Sequence, residues 1–230
     1  MEPPWALNTG RCLNTMASVR TAWKAYQGEG LPTRLHVVAR ALTCPFSPLL
    51  DRFPYQGAVL DVGCGHGLLI NLLSRDPSRH ALKICGIDHD SAKIETARRT
   101  ALAGVEFSTR GLGSFPEASF DAVSIFDVLY TVRKDVWSEI LEGCSRALRR
   151  GGLLIVKEVV DRPRWKYWAI MAQETLSVTL FGITKGDRPH FESPGIYRAA
   201  IVDAGFSIAE ERPLSSANWI SHYLFVARKI

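Results

Sequence analysis

The sequence predicts an α/β chain: a doubly wound, mostly parallel seven-stranded sheet that ends in a C-terminal antiparallel hairpin, preceded by a helical N-terminal extension. Three observations predict it. From Ala58 onward, short β-type runs alternate with helical patterns, and such crossovers pair strands in parallel. The first, fourth and fifth runs are almost continuously apolar, as burial on both faces of a sheet requires. The last two runs have no helical pattern between them, and strands joined that way pair antiparallel.

Taken in order, residues 1–55 read as a helical extension, punctuated by Pro45, Pro48 and Pro54 before the first strand. "AVLDV" (58–62) is that strand, and a helix follows over 68–74. "LKICGID" (82–88) is the second strand, with a helix over 91–103; "VEFS" (105–108) is a short third. "FDAVSIF" (120–126) is the fourth, a helix covers 136–149, and "GLLIVKEV" (152–159) is the fifth. Ser193-Pro194 reads as an N-cap with proline in the first turn, and the helix should stop near Gly205. Runs over 206–211 and 220–227 close the sheet. The domain reading is an extension over 1–55 and one α/β unit over 56–230, with 162–191 inserted in it.

Composition narrows the classes. Of 230 residues, 47% are hydrophobic and 22% charged, enough apolar surface for a full core. The net charge of +5 permits an acidic partner without demanding one, and no long block of like charge marks a nucleic-acid face. The five cysteines form no C-x-x-C pair, and several sit in apolar runs, so a reducing, cytoplasmic setting fits better than a disulfide framework. No His/Asp/Glu cluster has metal-ligand spacing, and no metal is expected. The N-terminus, with an early acid and two prolines, is not a secretory signal. The longest apolar stretch, 165–183, is broken by polar residues and argues against a spanning helix.

The stretch "VLDVGCGHGLLINLL" (59–73) carries the functional argument. Gly63, Gly65 and Gly67 stand between a strand and a helix N-terminus, where permissive backbone wraps a ligand. Their spacing is G-x-G-x-G, and Leu68 occupies the place of the third glycine of a dinucleotide fingerprint. Asp61, two residues earlier, suits a cationic ammonium and would repel a pyrophosphate. Asp88 ends the second strand about 20 residues on, where a carboxylate accepts hydrogen bonds from ribose hydroxyls. Asp90 is assigned to capping the next helix. The bland alternative for the glycines is a tight turn with no ligand.

"VLDVGCGHG", "GIDHD", "FDAV" and "LRRGGLLIV" resemble, in order, the motifs of class I S-adenosylmethionine-dependent methyltransferases, over roughly 58–160. The closing "GF…HYLFVARK" is similar to that superfamily's terminal strands, and "RLHVVARALTCPFSPLLDRFP" (34–54) with "FDVLY" (126–130) is similar to its bacterial small-molecule or lipid-pathway members. The resemblance implies a Rossmann-like fold and S-adenosyl-L-methionine as cofactor. It implies that Asp61 and the loop Gly63, Cys64, Gly65, His66 and Gly67 hold the methionine part, that Asp88 holds the ribose, and that His89 flanks the adenine. Gly111 and Leu112 stand where the family often places an acid toward the adenine amino group, a departure that leaves adenine recognition to backbone groups. Asp127 and Val128 complete the expected cofactor set.

Ligands of an open parallel sheet bind beyond the carboxyl ends of its strands. Asp127 and Tyr130 after strand four, and Lys157 and Glu158 on strand five, should therefore border a methyl acceptor. Lys157 and Glu158 alternate sides, so at most one faces the pocket. Methyl transfer from an activated sulfonium draws on alignment, and a hydroxyl acceptor would need Asp127, Glu158 or His190 to take its proton. Packing alone is the bland alternative for Tyr130. "DVLY" has no N/D-P-P-Y/F pattern, which disfavours methylation of a base amino group. Arg146, Arg149 and Arg150 are placed at a helix end, where cations complement the dipole. The insert 162–191 is apolar on several helical faces and is expected either to pack in the core or to cover a hydrophobic substrate as a lid. Its basic flank would suit a membrane surface without spanning it. The expected partner is a small-molecule methyl acceptor, hydrophobic or lipid-like ones included, with nucleic acid disfavoured. The rival readings are an RNA or protein methyltransferase, a non-catalytic cofactor-binding protein and an NAD-dependent oxidoreductase.

Overall fold

A computed structural model describes residues 15–160, 190–214 and 221–230. The expectations that fall on 1–14 and on 161–189, the proposed lid with its tryptophans among them, lie outside the described residues. Three helices lead in: α1 (Thr15–Ala25), α2 (Leu31–Thr43) and α3 (Phe46–Leu50). The alternating part follows as β1 (Gln56–Val62), α4 (Leu68–Ser74), β2 (Ala81–Ile87), α5 (Ser91–Thr100), β3 (Glu106–Ser108), β4 (Phe120–Phe126), α6 (Trp137–Ala147) and β5 (Leu148–Val159). The chain closes with α7 (Pro194–Asp203), β6 (Phe206–Leu214) and β7 (His222–Lys229).

The seven strands form one sheet in the order β3-β2-β1-β4-β5-β7-β6. β1 lies parallel to β2 and β4, and β5 is parallel to β4. Only β7 runs against its neighbours, wedged between β5 and β6. The order reverses at β1 and β4, so the switch-point crevice opens where both strands end. Strand alternation divides the core between the two faces. Val59, Ala122, Ile155 and Val226 meet α1–α4 on one side. Leu60, Val123, Leu154 and Phe225 meet α6 and α7 on the other, where Trp137 stacks on Tyr197 at 4.9 Å. The leading helices share the first core through Tyr26, Val37, Phe46 and Phe53, all buried. Among the described residues, no helix is long and apolar enough to cross a membrane.

Local chemistry sets most boundaries. Asp90 caps α5 by accepting from the Ala92 and Lys93 N–H groups at 3.0 and 3.3 Å. Ser193 holds the N-cap place of α7 with Pro194 behind it, although its hydroxyl makes no capping bond. Gly205 follows that helix at φ +86°, a left-handed turn that glycine adopts without strain. Two expected boundaries are corrected. The helix over 91–103 stops at Thr100, because Ala101 is extended and the chain turns at Gly104. The helix over 136–149 stops at Ala147, because Leu148 pairs with Phe120 and begins β5. Arg149 and Arg150 are therefore strand residues, not helix-end cations. Arg149 donates to Asp121 at 2.6 Å, across a register shift between Phe120 and Ala122. Arg146 alone of the three stands in the last helical turn.

Candidate functional site

The glycine loop is built almost wholly from backbone. The Gly63 and Cys64 N–H groups both donate to the Ile87 carbonyl, at 2.8 and 2.9 Å, and this ties the end of β1 to β2. Gly63, Gly65 and Gly67 have φ of +71°, +53° and +80°, values that a side chain at any of them would strain. The protein fills the space beside two of these glycines. A Cβ on Gly63 would collide with Val128, and one on Gly67 would stand 2.9 Å from Phe107 and 3.1 Å from Ala97. Gly65 differs, since nothing lies within 4 Å of where its Cβ would be. The loop is thus packed on two sides and open on the third.

Two carboxylates flank it. Asp88 accepts from the Gly65 N–H and the Asp90 N–H, each at 2.9 Å, so it clamps the loop as well as facing it. An ionised carboxylate has about four lone-pair sites, which leaves acceptor capacity for a bound polyol. Asp61 is buried and accepts from Ser124 Oγ at 2.6 Å. Burial pushes its carboxyl up to about 7 against the lowering effect of that hydrogen bond. A buried carboxyl that titrates near 7 ionises when a cation is brought beside it.

Beyond the ends of β4 and β5 the site is made of side chains. Asp127 has φ +60°, unusual without a glycine. Its carboxylate accepts from Lys157 Nζ at 2.7 and 2.6 Å and from Arg40 Nη2 at 2.7 Å. Burial alone would raise its pKa, but Lys157 and Arg40 outweigh burial and hold it well below the usual carboxylate range. A carboxylate so held is a poor proton acceptor. Glu158 lies on the opposite side of β5, fully buried, and accepts from the N–H groups of Val128, Leu129 and Tyr130 at 3.2, 3.0 and 3.5 Å. Burial and the charge of Asp127 push it up to about 8, against the backbone donors that favour its ionised form. It props the segment that carries Tyr130. Tyr130 is buried, stacks on Phe191 at 5.0 Å, and its carbonyl accepts from the exposed His190 N–H at 2.8 Å.

The remaining candidates spread outward. Cys64 is buried under the loop, where burial raises its thiol pKa. The His89 side chain is 82% exposed beside Asp88. Gly111 is exposed, and Leu112 packs against Gly143 of α6. The His66 carbonyl accepts from Tyr26 Oη at 2.6 Å, and Asn71 Nδ2 lies 3.2 Å from that same hydroxyl. The His66 ring meets His36 edge-on at 5.3 Å. Tyr26 stands in the turn after α1, His36 and Arg40 lie on α2, and none of the three carries a local signal in the sequence. Their partners stand 40, 30 and 87 positions away, beyond any local motif.

Residues 59–152 match a family model described as a methyltransferase domain. A tRNA N(3)-methylcytidine methyltransferase of Schizosaccharomyces pombe is 26% identical over 148 residues, covering 59% of this chain and 48% of that protein. A ubiquinone biosynthesis O-methyltransferase of Neisseria meningitidis serogroup C is 28% identical over 166 residues, covering 68% and 66%. The chain thus spans between about half and just under two thirds of the length of these relatives. Among solved structures, a SAM-dependent methyltransferase of Methanosarcina mazei superposes with a TM-score of 0.63 at 20% identity, covering 80% of this chain and 97% of that one.

Proposed function

We propose that this chain, which carries a methyltransferase domain in the class I S-adenosylmethionine-dependent methyltransferase fold, transfers a methyl group from S-adenosyl-L-methionine to a hydroxyl of a small molecule. One observation carries the reading: a glycine cradle open only at Gly65, set between the carboxylates Asp61 and Asp88. The residues fit the cofactor. Loop N–H groups and Asp61 face the amino-acid end, Asp88 the ribose, and His89 and Gly111 the base. The group supplies, when bound, a methyl on a sulfonium that is already a good leaving group.

The chain's own work is then to bind, align and exclude water. Asp61 takes the ammonium, and Ser124 fixes the carboxylate that does so. Asp88 holds the loop and the ribose at once, so cofactor position and loop shape are set by a single side chain. Alignment of an acceptor in line with an activated methyl can supply most of the acceleration. No buried carboxylate serves as general base, since Asp127 is neutralised by two cations and Glu158 is bonded to three backbone donors. The proton of a hydroxyl acceptor passes to His190 at the rim or to water. The O-methyltransferase relatives support a small hydroxylated acceptor over RNA. Among the described residues Cys44, Cys64, Cys85 and Cys144 are buried free thiols, which suits a cytoplasmic protein. The working unit is 56–230, with the described helices between Thr15 and Leu50 bracing the glycine loop from one side.

Calorimetry with S-adenosylmethionine, S-adenosylhomocysteine and NAD tests the reading, followed by a screen of small phenols against an RNA pool. Both methionine-derived ligands should bind and NAD should not. Binding of NAD with no response to either of the others would overturn it.

A further inference from the structure

The helix that follows the glycine loop carries a polar residue where its pattern calls for an apolar one. Residues 68–73 read "LLINLL", and all six are buried. Asn71 is sealed as completely as Ile70 and Leu72 beside it, each about 1% exposed. An amide taken out of water is costly unless its hydrogen bonds are remade inside. Asn71 remakes them through its nitrogen. Nδ2 lies 3.2 Å from each of three oxygens, the Gly67 carbonyl, Tyr26 Oη and Thr100 Oγ1.

All three oxygens ask for a donor. A carbonyl can only accept. Tyr26 Oη gives its proton to the His66 carbonyl at 2.6 Å, and burial pushes that phenol above its ordinary range, so the proton stays. Thr100 Oγ1 gives its own to the turn before it, where the Thr96 and Ala97 carbonyls lie at 3.1 and 3.2 Å. Each oxygen therefore meets Asn71 with a lone pair, and an NH2 group is what fits between them. Leucine would offer nothing there, and a carboxylate would repel all three.

The two loop carbonyls held in this way belong to consecutive residues. Tyr26 holds His66 and Asn71 holds Gly67, so both peptide units at the end of the loop are oriented. A planar trans peptide sets its N–H opposite its C=O. With the His66 carbonyl turned to Tyr26, the Gly67 N–H is turned to the Cys64 carbonyl at 2.9 Å, and the turn closes. Asp88 grips the same turn at the Gly65 N–H.

We propose that Asn71, acting with Tyr26, is a positioning residue for the glycine loop, and that it serves the amino-acid end of the cofactor through the His66 and Gly67 peptide units. The inference rests on the methyl-transfer reading for its choice of ligands. A tie that served stability alone would weaken the fold without choosing between ligands. A tie that sets the loop's shape weakens those ligands that reach into the loop and spares those that do not.

Wild type, Asn71→Leu, Asn71→Ser and Tyr26→Phe are titrated with S-adenosylhomocysteine and with methylthioadenosine, which keeps the nucleoside and lacks the amino-acid end. In Asn71→Leu the affinity for S-adenosylhomocysteine should fall about tenfold, while that for methylthioadenosine stays within about twofold. Tyr26→Phe should lower the same ratio by less. Asn71→Ser should recover part of it, since a serine hydroxyl on a helix reaches the carbonyl four residues back, here that of Gly67. The proposal is overturned if a folded Asn71→Leu protein keeps the wild-type ratio. It is equally overturned if both ligands weaken together, which returns Asn71 to the core. Should the leucine variant fail to fold, Tyr26→Phe decides by the same ratio. Wild type that binds neither ligand breaks the methyl-transfer reading instead, and amide exchange then decides the role of the pair. The Gly67 N–H should exchange faster in Tyr26→Phe than in wild type while the amides of β4 keep their rates, and an unchanged Gly67 rate overturns the proposal.

Discussion

The two halves of the crevice are built from different materials. At the end of β1 the cradle is backbone: three glycines at positive φ, carbonyls and N–H groups, and a carboxylate that pins the loop from the next strand. At the ends of β4 and β5 it is side chain, with Asp127 between Arg40 and Lys157 on one side of the sheet and Glu158 under the backbone on the other. A backbone cradle is set by a few adjacent residues and suits a ligand common to many proteins. A cluster of long side chains from distant elements is costly to desolvate and changes with each partner. That contrast supports the proposal that the first half holds the shared cofactor and the second the particular acceptor.

The comparison breaks most visibly at Lys157. If the β4–β5 half is held by a desolvated ion cluster, Lys157→Ala leaves Asp127 buried with a single, partly solvated partner. The loss should be about 3–5 kcal/mol of stability, the usual cost of removing one partner of a buried pair. Replacing both ends, Lys157→Met with Asp127→Asn, should recover part of it, since the buried pair goes together and only the partly exposed Arg40 keeps its charge. Urea denaturation of the two proteins measures the difference. A cost under about 1 kcal/mol for the single change would mean that the cluster is wet, and the contrast between the halves would fall.

A smaller effect is expected at Asp88, and it sharpens the comparison within the backbone half. Asp88→Ala removes the proposed ribose acceptor and its bonds from the Gly65 and Asp90 N–H groups. It should cost about 1.5–3 kcal/mol of cofactor binding, the range for hydrogen bonds to a charged group. Asp88→Asn keeps one oxygen and should retain either the loop bond or the ribose bond, with an intermediate loss. Calorimetry on both variants reads this, with amide exchange at Gly65 as the report on the loop. Full affinity in Asp88→Ala would place the ribose elsewhere.

Legibility followed the same division. The left-handed glycine turn and the cap at Asp90 were readable because each is set within a few residues, through φ and spacing, whereas the partners of Asp61 and Asp88, at Ser124 and Gly65, stand 63 and 23 positions away. The alternation of strands and helices gave the sheet and its closing hairpin for the same reason. The place of β7 between β5 and β6 was not readable, because nothing local states which edge a returning strand joins. Arg149 was misplaced because a helical pattern continues through 147–149, and only pairing of Leu148 with Phe120 ends it. Arg40, Tyr26 and His36 carried no local signal at all. Their importance arises only when α1 and α2 fold back over the loop.

The smallest expected effect isolates one proton. Asp61 has its pKa raised to about 7 by burial, so below pH 7 the cofactor-free fold holds a proton that a bound ammonium would displace. The sign follows from linkage. Between its unfolded value and about 7, the folded state binds more protons at Asp61 than the unfolded chain does, so this residue's contribution to stability falls as pH rises through that window. Cofactor binding runs the other way, because it needs the ionised carboxylate. Affinity for S-adenosylhomocysteine should therefore rise by about tenfold between pH 6 and pH 8, with about one proton released at the lower pH and almost none at the higher. Titration calorimetry in buffers of different ionisation enthalpy counts that proton. His36 cannot be its source, since burial and His66 push it down to about 4. Glu158, up at about 8, titrates nearby, so methylthioadenosine, which lacks the ammonium, serves as the control and should show no trend. Asp61→Asn should flatten the profile for S-adenosylhomocysteine and leave methylthioadenosine binding as it was. A slope that persists in that variant would take the ammonium away from Asp61 and with it the orientation of the cofactor in the cradle.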